Sequence, residues 1–261
     1  MIKISISASL ILSSLELFLS CNSKTNFPFK KGSRIGFFGD SITYADHNGY
    51  VELLQEYFKK NYPDYVLELV NLGKNSETIT GLTESEHPGP RPFLFDRLDH
   101  ELEAHSLNVA FFCYGINCGI YQPPSEMIFE KYRTGLQLFL NKAHEKNIGV
   151  YLIGPPPLLL RSLSNNKNFG PYNWQNPYPN YEEEVLSEFR KILFNFKHPA
   201  ILKKINIHNT LAKASTKAYG TDPIHPNAIG HKIIFEEVIK ALGLKKLLKI
   251  ASTILIICAI L

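Results

Sequence analysis

The chain has 261 residues, 44% hydrophobic and 12% aromatic, which suits one globular domain of about 200 residues with extensions. The formal net charge is +4, and the basic residues are scattered rather than gathered in a patch, which argues against nucleic-acid binding. No Cys-x-x-Cys pair occurs, which excludes a zinc ribbon or thiol redox motif of that type. For Cys113 and Cys118, buried free thiols are favoured over a disulfide.

The first 21 residues have the pattern of an export signal. A lysine precedes a largely apolar run, and residues 17–21 resemble a bacterial lipobox, in which a small residue precedes a cysteine that becomes lipidated. Glu16 and Phe18 depart from the usual pattern, so an uncleaved apolar segment or a misplaced start site is the alternative. We expect a lipoprotein signal, lipidation at Cys21 and a polar tether over residues 22–32. The protein would then be exported and attached to a membrane of a bacterial cell envelope.

The C-terminal tail, residues 244–261, combines a basic segment with an apolar end. As a helix, the apolar end would be about 18 Å long, which is shorter than the roughly 30 Å core of a bilayer. Dipping into a membrane surface and packing on the domain both remain open for it. Between the tether and the tail, residues 33–243 are predicted to form the main domain.

Five apolar runs predict β-strands, and amphipathic patterns between them predict helices. The strands are predicted at residues 34–38, 65–71, 108–114, 148–153 and 201–208. The helices are predicted at about 48–61, 132–143, 185–196 and 227–242, and three prolines keep residues 76–97 irregular. Strands that alternate with helices form parallel βαβ units. The predicted fold is therefore α/β: a three-layer α/β/α sandwich around a central, mostly parallel five-stranded sheet.

Three residues with chemical potential follow predicted strands at the point where each strand ends. Ser41 follows the first strand in a Gly-Asp-Ser turn, Gly73 follows the second, and Asn117 follows the third. The carboxyl ends of parallel strands meet at one edge of a sheet, where open α/β sheets bind ligands. We therefore expect these residues to converge. A strand-end serine alone is usually a turn former or a helix cap, so Ser41 needs a base from elsewhere.

Asp222 and His225 lie three residues apart, just before the last predicted helix. Pro223 and Pro226 keep this stretch non-helical, so the carboxylate can hydrogen-bond one imidazole nitrogen while the other serves Ser41 as a general base. Alone, this Asp-x-x-His pattern is weak, because a histidine near a helix start is usually a surface residue. The chain has no Gly-x-Ser-x-Gly elbow of the α/β-hydrolase type.

Together, the four blocks resemble those of the SGNH hydrolases, also called the GDSL esterase and lipase family. The blocks are residues 39–42, 73, 115–117 and 222–226, and the resemblance covers about residues 33–242. It implies the flavodoxin-like sandwich of that family. Cys118 departs from the pattern, because the family usually has an aspartate after this asparagine, and it leaves the geometry of that loop less certain.

The resemblance implies a serine ester hydrolase that works through an acyl-enzyme and needs no metal or organic cofactor. Ser41 would be the nucleophile, His225 the base and then the acid, and Asp222 its orienter. The oxyanion hole would consist of the backbone N–H groups of Ser41 and Gly73 and the side-chain amide of Asn117. An acyltransferase and a non-catalytic ligand-binding protein on the same fold are the alternatives.

Two long segments are expected to shape the substrate pocket. One contains Arg91, and the other contains Tyr172 and Trp174 among further aromatic and amide side chains. These rings could stack on a sugar or line an acyl groove, or they could simply hold the segment on the domain. The expected partner is a small-molecule, glycan or lipid ester, with membrane attachment through Cys21 and a further contribution of the tail left open.

Overall fold

The computed structural model describes residues 27–160 and 169–244. Its sheet consists of β1 (Arg34–Gly39), β2 (Glu68–Gly73), β3 (Val109–Cys113), β4 (Gly149–Ile153) and β5 (Ile201–Ile205). The strand order is β2-β1-β3-β4-β5, and all four neighbouring pairs are parallel. The predicted α/β sandwich is confirmed, with a sheet that is parallel throughout.

The helices lie between the strands along the chain. They are α1 (Ser41–Tyr44), α2 (Tyr50–Asn61), α3 (Leu98–His105), α4 (Glu126–Glu145), α5 (Ser187–Asn195), α6 (His208–Ala214), α7 (Thr216–Tyr219) and α8 (Ala228–Ala241). Short 3-10 turns occupy Pro63–Tyr65 and Leu94–Asp96, and a π-helical segment, Tyr181–Leu186, leads into α5. The amphipathic patterns predicted α2, α4, α5 and α8. They missed α1, α3, α6 and α7, because such short helices show too few turns for a period.

The predicted second strand begins too early, and the predicted fifth strand ends too late. Before β2, a 3-10 turn and a left-handed Val66 (φ +49°) delay the extended backbone until Glu68. After β5, the Asn206 side chain accepts a hydrogen bond from the His208 N–H at 3.0 Å, in the turn that leads into α6. In both places a local turn shortens the strand at one end, although the apolar pattern continues through it.

Aromatic side chains pack on both faces of the sheet. Phe37, Phe111 and Tyr151 are neighbours in register on β1, β3 and β4, and their rings stack with centroids 4.7 Å apart. On the opposite face, Phe38 packs against Phe139 of α4. Because successive strand residues point to opposite faces, this alternation requires a helix layer on each side. The core therefore holds the central strands rigidly, and with them the loops at their carboxyl ends.

The domain begins before the predicted boundary at residue 33. Phe29 is buried, and its ring lies edge-on to Phe58 of α2. The Phe27 ring packs against Tyr62 and Tyr65, with centroid distances of 4.4 and 4.1 Å. These contacts attach the last part of the predicted tether to the domain, because they remove aromatic surface from water.

The predicted signal and most of the predicted tail lie outside the described residues. This applies to residues 1–26, with the lipidation site Cys21, and to residues 245–261. Lipidation, export and the role of the tail therefore stay predictions. Within residues 27–160 and 169–244, no helix has the length and apolarity needed to cross a membrane.

Gly135 allows α4 to approach the chain that follows β2. A Cβ atom at Gly135 would overlap the carbonyl oxygen of Ile79 and lie 3.0 Å from the Ile79 Cβ. We predict that Gly135→Ala lowers the free energy of unfolding by about 1–3 kcal/mol, although alanine is intrinsically the better helix former. Urea denaturation followed by circular dichroism measures this change.

The control is Thr134→Ala, at the exposed neighbouring position of the same helix. We expect it to change the free energy of unfolding by no more than about 0.5 kcal/mol. A Gly135→Ala protein as stable as the wild type would contradict the close approach of α4 to Ile79.

Candidate active site

Ser41, His225 and Asp222 form one hydrogen-bonded chain at the carboxyl end of the sheet. Ser41 is the first residue of α1, directly after β1, and the other two lie in the loop before α8. Ser41 Oγ is 2.9 Å from His225 Nε2, and His225 Nδ1 is 2.8 Å from Asp222 Oδ2. The structure thus brings Ser41 together with a pair of residues that lie more than 180 positions away in the sequence.

Asp40 fixes the turn that presents Ser41. Its Oδ1 accepts a hydrogen bond from the Ile42 N–H (3.0 Å), which makes it the N-cap of α1. The side chain is buried, and burial raises the pKa of Asp40 to about 7 although the Ile42 N–H favours the ionised form. Asp40 therefore acts within the turn and not as a partner of His225.

The Asp222 carboxylate is held by its own loop. Its Oδ1 accepts hydrogen bonds from the backbone N–H groups of Ile224 (2.7 Å) and His225 (3.0 Å), which leaves Oδ2 for the imidazole. Burial opposes ionisation, but the hydrogen bonds from the His225 side chain and these N–H groups outweigh it and lower the pKa of Asp222 to about 2. The hydrogen bond that His225 Nδ1 donates to Asp222 raises the pKa of His225 above its ordinary value, although burial acts against it.

Asn117 lines the cavity beside Ser41. Its Oδ1 accepts a hydrogen bond from the Tyr121 hydroxyl (3.0 Å), which orients the amide. Its Nδ2 is buried and has no hydrogen-bond partner among the described residues. An unsatisfied buried N–H costs about 1–3 kcal/mol, so this donor is suited to an oxygen atom of a ligand. Asn117 lies where the sequence predicted it.

Gly73, in contrast, is not brought to the cavity. Its N–H donates to Asn71 Oδ1 at 3.0 Å, and it is absent from the residues that line the cavity within the described part of the chain. A Cβ atom at Gly73 would overlap the backbone nitrogen of Tyr44. The glycine therefore serves the close approach of β2 to α1, and its predicted role as an oxyanion donor does not fit this geometry.

Ser76, three residues further on, occupies the place that the prediction gave to Gly73. It lines the same cavity as Ser41 and Asn117, and its backbone is left-handed, with φ +62°. No residue in the two described ranges accepts a hydrogen bond from its backbone N–H. Sequence reasoning missed Ser76, because only a turn-prone Asn-Ser pair signals this conformation, and such pairs are common in loops.

A buried ion pair joins the loops that carry Ser76 and Asn117. The Glu77 carboxylate is fully buried and accepts hydrogen bonds from Arg97 Nε and Nη2, both at 2.7 Å, and from the Tyr114 hydroxyl at 2.5 Å. Glu77 directly follows Ser76, and Tyr114 begins the segment that leads to Asn117. The sequence offered no sign of this network, since its members lie in an irregular segment and at a strand end.

The cavity beside Ser41 has a volume of about 650 Å³ and is open to solvent. Two of the three predicted substrate residues, Arg91 and Trp174, line it. The Arg91 guanidinium is buried and held by two hydrogen bonds to Glu84, at 2.7 and 2.6 Å. Tyr172 is not among the described lining residues, and its carbonyl accepts a hydrogen bond from Gln122 Nε2 (2.6 Å). Tyr172 therefore helps to hold the aromatic segment on the domain.

Cys118 is buried behind the cavity and does not line it among the described residues. Burial raises the pKa of its thiol, and its carbonyl accepts a hydrogen bond from Thr80 Oγ1 at 2.8 Å. Cys113 and Cys118 are both free and buried, as predicted. The departure at Cys118 thus adds no second nucleophile. In the described ranges, no three His, Cys, Asp or Glu side chains gather as a metal site would require.

A family model describes the same stretch of chain that carries this geometry. The model of the GDSL-like lipase/acylhydrolase family matches residues 37–233. The chain belongs to this family. It is therefore a carboxylic ester hydrolase by family, and the resemblance read from the four sequence blocks is confirmed. No curated protein sequence matches the chain.

Solved structures share the fold of this family member at low sequence identity. LAE5, an α/β hydrolase enzyme from the metagenome of Lake Arreo in Spain, is 20% identical, with a TM-score of 0.63 over 83% of this chain and 98% of its own. Axe2, an acetylxylan esterase from Geobacillus stearothermophilus, is 18% identical, with a TM-score of 0.60 over 83% and 98%. A putative GDSL-like lipase from Parabacteroides merdae is 19% identical, with a TM-score of 0.61 over 83% and 98%. These likenesses support the fold.

The Glu77–Arg97 pair gives a test of how firmly these loops are joined. We predict that Glu77→Gln lowers the free energy of unfolding by about 3–5 kcal/mol, because it removes the buried carboxylate that accepts two hydrogen bonds from Arg97 and leaves this guanidinium with the longer 3.3 Å ion pair to Glu101. Urea denaturation measures the loss.

The matched control is Glu68→Gln, which breaks the ion pair between Glu68 and Arg34. Both of these side chains are about half exposed. Its expected cost is at most about 1 kcal/mol. Equal effects of the two substitutions would show that the Glu77 network does not stabilise the site.

Proposed function

We propose that this GDSL-family protein is a serine ester hydrolase that removes short acyl groups from polar alcohols, with acetylated carbohydrates as the main substrate class. The observation that carries the proposal is the hydrogen-bonded chain of Ser41, His225 and Asp222 beside a cavity that Asn117 also lines, where the buried Asn117 Nδ2 has no hydrogen-bond partner among the described residues. Nucleophile, base, orienter and electrophilic donor are thereby present in one place.

In the proposed acylation step, Ser41 Oγ attacks the ester carbonyl carbon while His225 Nε2 takes the hydroxyl proton. The Asp222 carboxylate holds the imidazole through Nδ1 and stabilises the imidazolium that forms. The tetrahedral intermediate then collapses: the bond between the carbonyl carbon and the alcohol oxygen breaks, and His225 Nε2 returns its proton to the leaving alcohol. The acyl group remains esterified to Ser41.

In deacylation, water takes the place of the alcohol. His225 Nε2 accepts a proton from the water as its oxygen attacks the acyl-enzyme carbonyl, and the second intermediate collapses with the proton passing to Ser41 Oγ. The carboxylic acid leaves and the hydroxyl is restored. The His225 and Asp222 side chains are 47% and 48% exposed, so water reaches the base directly, which favours hydrolysis over transfer to another alcohol.

The proposed oxyanion hole consists of Asn117 Nδ2 and the backbone N–H groups of Ser41 and Ser76. Ser41 begins α1, where the N–H groups have no partners within the helix. The Ser76 N–H replaces the predicted Gly73 N–H, which donates to Asn71. Fixed donors stabilise the developing oxyanion without reorganisation, and each contributes about 3–4 kcal/mol in comparable sites.

Polar side chains in the cavity wall support a polar alcohol. Those of Asp46, His47, Asn75, Arg91 and Asn227 line the cavity. They offer hydrogen-bond partners to the hydroxyl groups of such an alcohol, whereas a long acyl chain would gain binding free energy from apolar contact alone. An acetylxylan esterase is also among the proteins with a similar structure. A non-catalytic role is disfavoured, because the side chains needed for acyl transfer are intact and correctly spaced.

We predict that Ser41→Ala lowers kcat/KM for p-nitrophenyl acetate by at least about 10³-fold, since the acyl-enzyme can no longer form. In the wild type, kcat/KM should fall about tenfold or more from the acetate to the octanoate ester. Initial rates of p-nitrophenol release measure both effects. Cys118→Ala is the control, and it should retain activity. A Ser41→Ala protein with wild-type rates would overturn the mechanism.

The pH dependence tests the assignment of the base. The hydrogen bond that His225 Nδ1 donates to Asp222 raises the pKa of His225 above its ordinary value of 6.5. Because the base must be neutral, kcat/KM should fall with decreasing pH through a midpoint above that ordinary value. Asp222→Asn should lower kcat by about 10³–10⁴-fold and move the midpoint of the residual activity to lower pH. Steady-state rates across the pH range provide the profile, and a wild-type midpoint at or below 6.5 would contradict the assignment.

A further inference from the structure

We propose that Tyr44 and Trp174 are two sugar-binding subsites, one on each side of Ser41, so that the preferred substrate is an acetylated oligosaccharide rather than an acetylated monosaccharide. This inference rests on the proposed ester hydrolysis and extends it by naming where the chain of sugars binds. Both rings line the cavity of Ser41, and they are 43% and 44% exposed.

The strand order puts the backbone attachments of the two ring-bearing segments on opposite sides of the nucleophile, and from this we infer the placement of the rings. Tyr44 ends α1 next to β2, where its carbonyl accepts a hydrogen bond from Asn71 Nδ2 at 3.1 Å. The segment with Trp174 is joined to the loop after β3, because the Tyr178 N–H donates to the Tyr121 carbonyl at 3.0 Å. Since β1 lies between β2 and β3, the serine that follows β1 lies between the two attachments.

Side-chain hydrogen bonds give the Trp174 turn a defined shape. Asn173 Oδ1 accepts hydrogen bonds from the N–H groups of Gln175 (2.8 Å) and Asn176 (2.9 Å), the two residues that directly follow Trp174. Asn176 Nδ2 donates to the carbonyls of Phe169 (3.1 Å) and Pro171 (3.2 Å). A turn that is ordered in this way presents its exposed ring without a large entropy cost when a ligand binds.

Tyr44 is equally well anchored through its backbone. Its N–H donates to the Asp40 carbonyl at 3.0 Å, within the turn that also presents Ser41. Its position relative to the nucleophile is therefore fixed by the same few residues. A substrate group that stacks on this ring would be aligned with the attacking oxygen.

The chemistry of the cavity matches a carbohydrate. A pyranose ring has apolar C–H faces that pack on aromatic rings and hydroxyl groups that need hydrogen-bond partners. Exposed polar side chains of Asp46, His47 and Asn75 line the cavity together with the two rings. An acyl chain bound to the same rings would bring these polar groups into an apolar surrounding, which is unfavourable.

The test compares p-nitrophenyl acetate with acetylated xylose, xylobiose and xylotriose as substrates. For the wild type, we expect kcat/KM to rise about tenfold or more from the monomer to the trimer, mainly through KM. In Trp174→Ala and in Tyr44→Ala, the ratio of kcat/KM for the trimer to that for p-nitrophenyl acetate should fall about tenfold. Phe169→Ala removes an exposed ring from the same segment, outside the cavity lining, and should leave the ratio at its wild-type value.

Equal kcat/KM for monomer and trimer, or an unchanged ratio in both ring variants, would overturn the proposal. A loss confined to long-chain p-nitrophenyl esters would also overturn it and assign the rings to acyl binding. Calorimetric titration of Ser41→Ala with unacetylated xylotriose separates this proposal from the proposed hydrolysis. If the wild type turns over no ester, weaker xylotriose binding after the added Trp174→Ala substitution still supports the subsites, and unchanged binding contradicts them.

Discussion

The parallel pairing of β1 between β2 and β3 is the constraint on which the candidate site depends. Gly39 at the end of β1 is in register with Gly73 on one side and Cys113 on the other. The three loops that follow therefore start at the same level of the sheet, and Ser41, Ser76 and Asn117 enter one cavity from them. The stacked aromatic rings across the central strands keep this level fixed, because a slip by one residue would move every ring to the opposite face.

Beyond the end of the sheet, buried ion pairs stabilise the conformation of the chain. Residues 76–97 contain little regular structure, yet Glu77 and Glu84 each bind an arginine through two hydrogen bonds. Arg91 further donates to the Ser76 carbonyl at 3.3 Å. Breaking a buried pair leaves an uncompensated charge, so these contacts restrict the segment to few conformations. Arg91, a predicted substrate contact, thus also has a structural role. Because Glu84 compensates its positive charge, Arg91 attracts a negatively charged substrate group less strongly.

The sequence was sufficient to predict features that depend on the type and order of residues. It was not sufficient for features that depend on which acceptor a particular N–H group binds. Buried central strands are continuous apolar runs, so the sheet could be predicted, and the Asp-x-x-His spacing became a prediction of Asp222 and His225 only together with the other three blocks. Gly73 was chosen because it follows a strand. Its N–H is engaged by the Asn71 side chain, which no pattern of residues reveals. Ser76 was missed for the matching reason, since a left-handed serine looks like any other loop serine in the sequence.

The two aspartates near Ser41 show how environment divides roles between like side chains. Asp40 is adjacent in sequence, but its carboxyl group caps α1 in a buried turn, and burial raises its pKa to about 7. Asp222 is remote in sequence, but three hydrogen bonds to its carboxylate outweigh its partial burial and lower its pKa to about 2. A group that stabilises an imidazolium must stay ionised at every working pH, and only Asp222 meets that condition. In the proposed mechanism the nearer carboxyl therefore shapes the nucleophile turn, and the distant one supports the base.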